Sequence, residues 1–119
     1  MRLRLSPMID IHEARQRVWM HYNSIVTFPQ EDFDMVIDRS EFRTLRKGEY
    51  VYKQGKIPAY GGYVYHGALR HFHTDPYSGI ETTVGFEFED ACIGDLRSIF
   101  YNEPTQTSLQ ALEDTVLGT

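Results

Sequence analysis

Two textures divide the chain at Phe42. Before it, apolar residues recur at helical spacing; after it, short aromatic and β-branched runs alternate with turn residues. In the first part Ile11, Ala14, Val18, Tyr22 and Ile25 form one stripe, with Glu13, Arg15, Arg17 and His21 mostly off it, which predicts an amphipathic helix. Thr27-Phe-Pro-Gln30 then matches a capping box with Pro29 in the first turn. It predicts a second, short helix that buries Phe33, Val36 and Ile37. Both helices are expected to pack against a sheet.

Beyond Phe42 the predicted strands are Phe42–Arg46, Tyr50–Lys53, Gly62–His66, Ala68–Thr74, Ile80–Phe86, Ala91–Ile93, Thr107–Leu112 and Thr115–Leu117. Glycines between them are read as strand reversals, and short strands so punctuated indicate a sandwich or barrel. Asp75-Pro-Tyr-Ser-Gly79 predicts a hairpin loop, and Glu113-Asp114 a second, tighter one. No repeat, low-complexity tract or linker interrupts the pattern. The expected fold class is α+β, mainly β. Helices of residues 1–40 pack on an eight-stranded jelly-roll-like β-roll (a double-stranded β-helix) of residues 41–119, in one domain spanning 1–119.

Composition narrows the function. At 119 residues, 41% hydrophobic and 24% charged, the chain is ordinary globular material with enough length for a core. A formal charge of −5 argues against a nucleic-acid surface on this chain. One cysteine excludes an internal disulfide and an iron–sulfur cluster. No apolar run approaches the ~20 residues of a membrane span, and Met1-Arg-Leu-Arg-Leu-Ser-Pro7 lacks the apolar centre of a signal peptide. A cytoplasmic chain without a membrane partner is expected.

The segment from Cys92 to Ala111 carries the strongest chemical signal. A strand meets Gly94 and Asp95, an apolar helix-capable run follows, Pro104 closes it, and another strand begins. That order can aim backbone N–H groups at a small anionic ligand. Three other candidates are weaker. His71 and His73 alternate along one strand, near His66, and could ligate a metal; the next acids, Asp75 and Glu81, miss the spacing that a cupin-like metal site needs. Outward-facing sheet histidines are the simpler reading. Cys92 reads as a buried structural thiol. Glu87, Glu89 and Asp90 read as solvated loop charge. No Ser-His-Asp order, nucleophile elbow or P-loop is present, so the chain is not expected to be an enzyme.

Taken together, Leu45-Arg-Lys-Gly48 through Gly55, Gly62-Tyr-Val-Tyr-His-Gly67, the Asp75–Gly79 hairpin, Val84-Gly-Phe, Ile93-Gly-Asp-Leu96 and Ala111 to Leu117 resemble, in order and spacing, the cyclic-nucleotide-binding domain of the Crp/Fnr transcription regulators. The resemblance covers roughly Phe28 to Leu117. It implies a regulatory domain that senses a small-molecule effector such as a nucleotide, with no other cofactor and no metal. It also implies a ligand corner at Gly94, Asp95, Leu96, Arg97, Thr105 and Gln106. In the family a Gly-Glu pair receives the cyclic phosphate and the ribose, and an Arg-Ser or Arg-Thr pair neutralises the phosphate. Here Asp95 replaces the glutamate, and the arginine position holds Thr105 with Gln106 beside it. Neither side chain carries the fixed charge and forked donors of arginine. Arg97 is the nearest cation, and a solvated helix-surface arginine is its simpler reading. Asp95 is equally suited to cap the helix that follows.

The resemblance therefore implies weak or absent cyclic AMP binding on a retained fold. The dimerisation helix and helix-turn-helix of the family have no counterpart in this sequence, so the expectation is a sensor domain cut from a longer regulator, with a homodimer as a further possibility. The alternatives are a cupin-like metal-dependent enzyme using His71 and His73, or a standalone interaction domain with no ligand.

Overall fold

Alternating residues from Phe42 onward form eight strands in two four-stranded antiparallel sheets whose inner faces make the core. The computed structural model describes residues 10–27, 29–38 and 41–119. Met1–Pro7, Phe28 and the side chains of Ile11, Val36, Ile37 and Leu96 lie outside the described residues, with the expectations placed on them. The strands are β1 (Phe42–Leu45), β2 (Tyr50–Tyr52), β3 (Gly62–His66), β4 (Leu69–Thr74), β5 (Glu81–Glu87), β6 (Cys92–Ile93), β7 (Ser108–Ala111) and β8 (Thr115–Gly118). One sheet runs β1-β8-β3-β6 and the other β2-β7-β4-β5, the strand order of a jelly roll. The predicted strands agree to within one or two residues at each end.

Leu45, Val51, Tyr52, Val64, Leu69, Ile93, Leu109, Ala111 and Leu117 close the space between the sheets. Leu69, Leu109, Val64 and Leu117 are wholly buried, each worth about 1.5–3 kcal/mol of transfer free energy. On β3 the alternation is visible in single residues: Val64 points into this core, while Tyr63 packs on the other side with Val18 and Phe33. That outer face of β3 receives the two lead-in helices, α1 (Ile11–Ile25) and α2 (Gln30–Ile37). Asp10 caps α1 through the Glu13 N–H, Ala14 and Val18 are buried, and Trp19 meets Phe33 edge-on at 5.2 Å.

Four expectations are corrected. Ile25, assigned to the buried stripe, is 66% exposed, three residues beyond Tyr22, which still meets Cys92 of the roll. The helix α2 starts at Gln30, and the Pro29 carbonyl accepts from the Asp32 and Phe33 N–H groups, so Pro29 precedes the first turn and Thr27 is not its cap. Glu113-Asp114 is no hairpin: β7 and β8 belong to different sheets, and the segment crosses between them, held where Lys47 N–H donates to Asp114 Oδ1 at 2.9 Å. Not every glycine marks a reversal either. Gly85 lies within β5 and Gly62 opens β3, against the Gly118 carbonyl. By contrast the Asp75–Gly79 hairpin forms as expected, with the Asp75 carboxylate accepting from the Tyr77 and Ser78 N–H groups.

Candidate functional site

The segment from Cys92 to Ala111 folds as anticipated into strand, glycine, short helix and strand, the helix being α3 (Leu96–Tyr101). Gly94 has φ +144°, and a Cβ there would stand 3.2 Å from the Gly61 Cα. A side chain is thus disfavoured twice, by conformation and by the close approach of the β3 entry. Asp95 is the N-cap of α3. Its Oδ1 accepts from the Ser98 N–H at 3.1 Å, and its Oδ2 accepts from the Ser98 and Thr105 hydroxyls, each at 2.8 Å. The Ser98 N–H is the chief cause that holds this carboxyl below its ordinary range, against some desolvation, with Thr105 assisting.

Thr105 is only 2% exposed. Its backbone is paired as well: its N–H donates to the Lys56 carbonyl and its own carbonyl accepts from the Gly55 N–H. Asp95 and Thr105 therefore tie the two ends of the cassette to one another. The structure brings those two predicted site residues together with Gly94, and leaves the other two described side chains outside. Arg97 is 73% exposed, pairs with Glu103 at 3.6 Å and lies over the Tyr101 ring, directed away from Asp95. The Gln106 side chain is exposed, while its carbonyl lies 3.1 Å from His73 Nδ1. Leu96 is placed in the first turn of α3.

Further corrections concern the lesser candidates. Cys92 is exposed, not buried: in the two-residue edge strand β6, Ile93 takes the inner face and Cys92 the outer, where its Sγ lies 2.6 Å from the Tyr22 hydroxyl. Asp90 is no free loop charge. It sits at φ +71° and accepts from the Tyr63 hydroxyl and from Arg17 Nε and Nη2, both at 3.2 Å. Arg17 also lies over the Tyr65 ring at 4.4 Å, so this network docks α1 on β3. The bond from Tyr63 leads the causes that lower the Asp90 carboxyl, and burial, then that bond, raises the Tyr63 phenol.

The histidines divide. His66 faces Glu89 at 3.6 Å outside the roll, whereas His71 faces inward. Tyr52 and His71 are the register partners of Leu109 from either side, and Leu109 is wholly buried on the inner face, so all three form one row. Gly85 continues that row beyond His71, and Glu87, opposite Leu69, stands in the next. Among the described residues no group of three or more His, Cys, Asp or Glu is arranged to hold a metal ion.

Sequence reasoning passed over Tyr52 and read Glu87 as solvated loop charge, whereas Glu87 is half-buried and ends β5. A legible sign was an acid two positions from Gly85 on a strand whose intervening residue, Phe86, is the one that faces out; nothing marked Tyr52 among eight tyrosines.

A glycine and an acidic cap thus stand in front of a short helix between strands β6 and β7 of a jelly roll. The family model for the cyclic nucleotide-binding domain matches residues 42–119, and the chain belongs to that family. No curated protein matches the chain by sequence. Among solved structures it is similar to the Thermus thermophilus catabolite activator protein, at TM-score 0.69 and 22% identity over 78% of this chain and 43% of that one. It is also similar to the sensor domain of the transcriptional regulator DNR from Pseudomonas aeruginosa, at 0.74 and 17% over 92% and 73%. The cAMP-bound PfPKA-R is similar at 0.79 and 12%, over 92% and 39%. At such identities the likeness is one of fold, and the chain spans less than half the length of the first and third. Among the described residues no helix is long and apolar enough to cross a membrane.

Proposed function

We propose that this chain is the ligand-sensing regulatory domain of a Crp/Fnr-type transcription regulator whose site has lost ordinary cyclic AMP binding. The family membership supports a small-molecule effector and a non-enzymatic role, and it favours sensing over the cupin-like alternative. One observation carries the loss: the position that would supply a phosphate-binding arginine holds Thr105, buried, with its hydroxyl on Asp95. The acid that would take a ribose hydroxyl is thereby occupied from within. Losing one charge-assisted contact of ~1.5–3 kcal/mol weakens binding about ten- to a hundredfold.

An effector at Gly94, Asp95 and the Thr105–Gln106 corner would have to part Asp95 from Thr105, which frees the end of α3 to move. Signalling then consists of a shift between two cassette positions, with Leu96 and Arg97 carried along in the helix. Calorimetry tests the reading. The native chain is expected to show no cyclic AMP binding tighter than about 10 µM. The double variant Asp95→Glu with Thr105→Arg is expected to gain at least tenfold. Micromolar binding by the native chain would overturn the reading.

A further inference from the structure

Glu87 stands in the row next to that of Tyr52, Leu109, His71 and Gly85, Asp95 caps α3, and the charges of both act on the Tyr52 phenol. Glu87 is half-buried and has no hydrogen-bond or ion-pair partner among the described residues, and Asp95 is paired only with neutral donors. Three cations of the surrounding elements are engaged elsewhere, Arg70 with Glu81 on the outer face, Arg97 with Glu103 and Lys53 over Tyr50, and the Lys56 side chain is exposed.

Tyr52 supplies an independent sign. It is 6% exposed, yet its hydroxyl has no hydrogen-bond partner among the described residues. No wholly buried side-chain polar atom there lacks a partner, so this oxygen reaches solvent from inside a packed cluster. The His71 ring lies 6.4 Å from the Tyr52 ring, and a Cβ built on Gly85, next in the row, meets nothing within 4 Å. The solvent-reached Tyr52 hydroxyl, the His71 ring and the open space at Gly85 thus outline a recess on the inner face of sheet β2-β7-β4-β5, with Glu87 in its next row. Burial, and then the charges of Asp95 and Glu87, push the Tyr52 phenol up to about 12, in keeping with a site of negative potential.

From this geometry, and resting on the ligand-sensing reading above, we infer that the recess takes a small organic cation, an ammonium or guanidinium carried on a flat ring, in place of a cyclic phosphate. Glu87 and Asp95 meet the charge, the Tyr52 hydroxyl accepts or donates one hydrogen bond, and the ring lies against Tyr52 and His71 over the space at Gly85. A phosphate in the same place would face two carboxylates that, among the described residues, no cation bonds.

Calorimetry and amide chemical-shift mapping on the whole chain test this, with tyramine and phenylguanidine as cationic probes and cyclic AMP as the anion. The cations are expected to shift the β2, β4 and β5 resonances. Glu87→Gln is expected to weaken them at least tenfold. Tyr52→Phe should weaken them severalfold while leaving the urea midpoint in place, since its hydroxyl holds nothing. Binding that both variants leave unchanged overturns the proposal, as does no binding of either probe up to about 10 mM. Cyclic AMP read on the Asp95→Glu, Thr105→Arg variant separates the two failures. If that variant binds cyclic AMP while the native chain ignores both cations, only the cationic ligand falls; if it binds nothing, the sensing reading falls too.

Discussion

Asp90 and Asp95 flank the same two-residue strand, β6, and use their carboxylates in opposite ways. Asp90 meets a guanidinium and a phenol from distant parts of the chain, Arg17 and Tyr63, and holds α1 on the roll. Asp95 meets only neutral N–H and O–H donors from its own cassette, Ser98 and Thr105. One acid is used for docking between elements and the other for capping within one. The difference bears on function, since Arg17 bonds the Asp90 carboxylate whereas, among the described residues, no cation bonds that of Asp95. It also places a helix contact and a cassette contact on either side of one short strand.

The comparison can be broken most forcefully at the docking acid. Asp90→Ala leaves Arg17 and the Tyr63 hydroxyl without their acceptor and is expected to cost about 2 kcal/mol in urea unfolding, a figure discounted for the solvent that reaches both charges. Asp90→Gly loses the same contacts but accepts φ +71° without a Cβ, and should cost roughly 1 kcal/mol less than the alanine variant. Equal losses in the two variants would show that the left-handed backbone at Asp90 is not strained. At the capping acid, Thr105→Val removes one buried hydroxyl while Ser98 keeps Asp95 bonded, so about 1 kcal/mol is expected from the same measurement.

Acid titration sharpens the contrast further. Both carboxyls lie below their ordinary range in the fold. Each therefore contributes stability that is complete above about pH 3.9 and is lost as pH falls through its lower folded value. Asp90→Asn should flatten the acid limb of the stability curve, and Thr105→Val should flatten it less, because the Ser98 N–H remains the main cause at Asp95. At the alkaline end Tyr52 works in the other sense. Its raised phenol contributes fully below about pH 10 and loses that contribution as pH rises toward its folded value, so Tyr52→Phe should extend the alkaline limb. The smallest effect belongs to Arg97→Ala. This exposed side chain is expected to change stability by less than about 0.5 kcal/mol and to leave cyclic AMP binding where it was. A measurable loss of ligand affinity there would show that Arg97 reaches the site.

Much of this was legible in the residues. Alternation along Gly62–His66 and Leu69–Thr74, glycine at the corners, and the Gly94-Asp95 pair before a short apolar run identify the roll and its cassette, because strand period, backbone freedom and helix capping are local properties. The substitution at the arginine position was equally plain, since Thr105 has no charge in any conformation. What the sequence left open was where polar groups find partners. Cys92 sits in an apolar stretch and yet faces outward, because only the pairing of β6 with β3 decides which side of an edge strand is covered. Asp90 looked like one of three solvated acids until α1 brought Arg17, far away in the chain, against it. Glu113-Asp114 looked like a hairpin because sequence reports a turn and not the sheet that each flanking strand joins.

The sequence by itself determined the β-roll and the order of its elements, for these follow from side-chain chemistry and short-range geometry. The tertiary structure alone decided that Asp95 is satisfied by Thr105, that α1 is fastened at Asp90, and that Tyr52, His71 and Glu87 share one inner face. Those are contacts between residues far apart in the chain, set by strand register and sheet packing, and no local pattern encodes them.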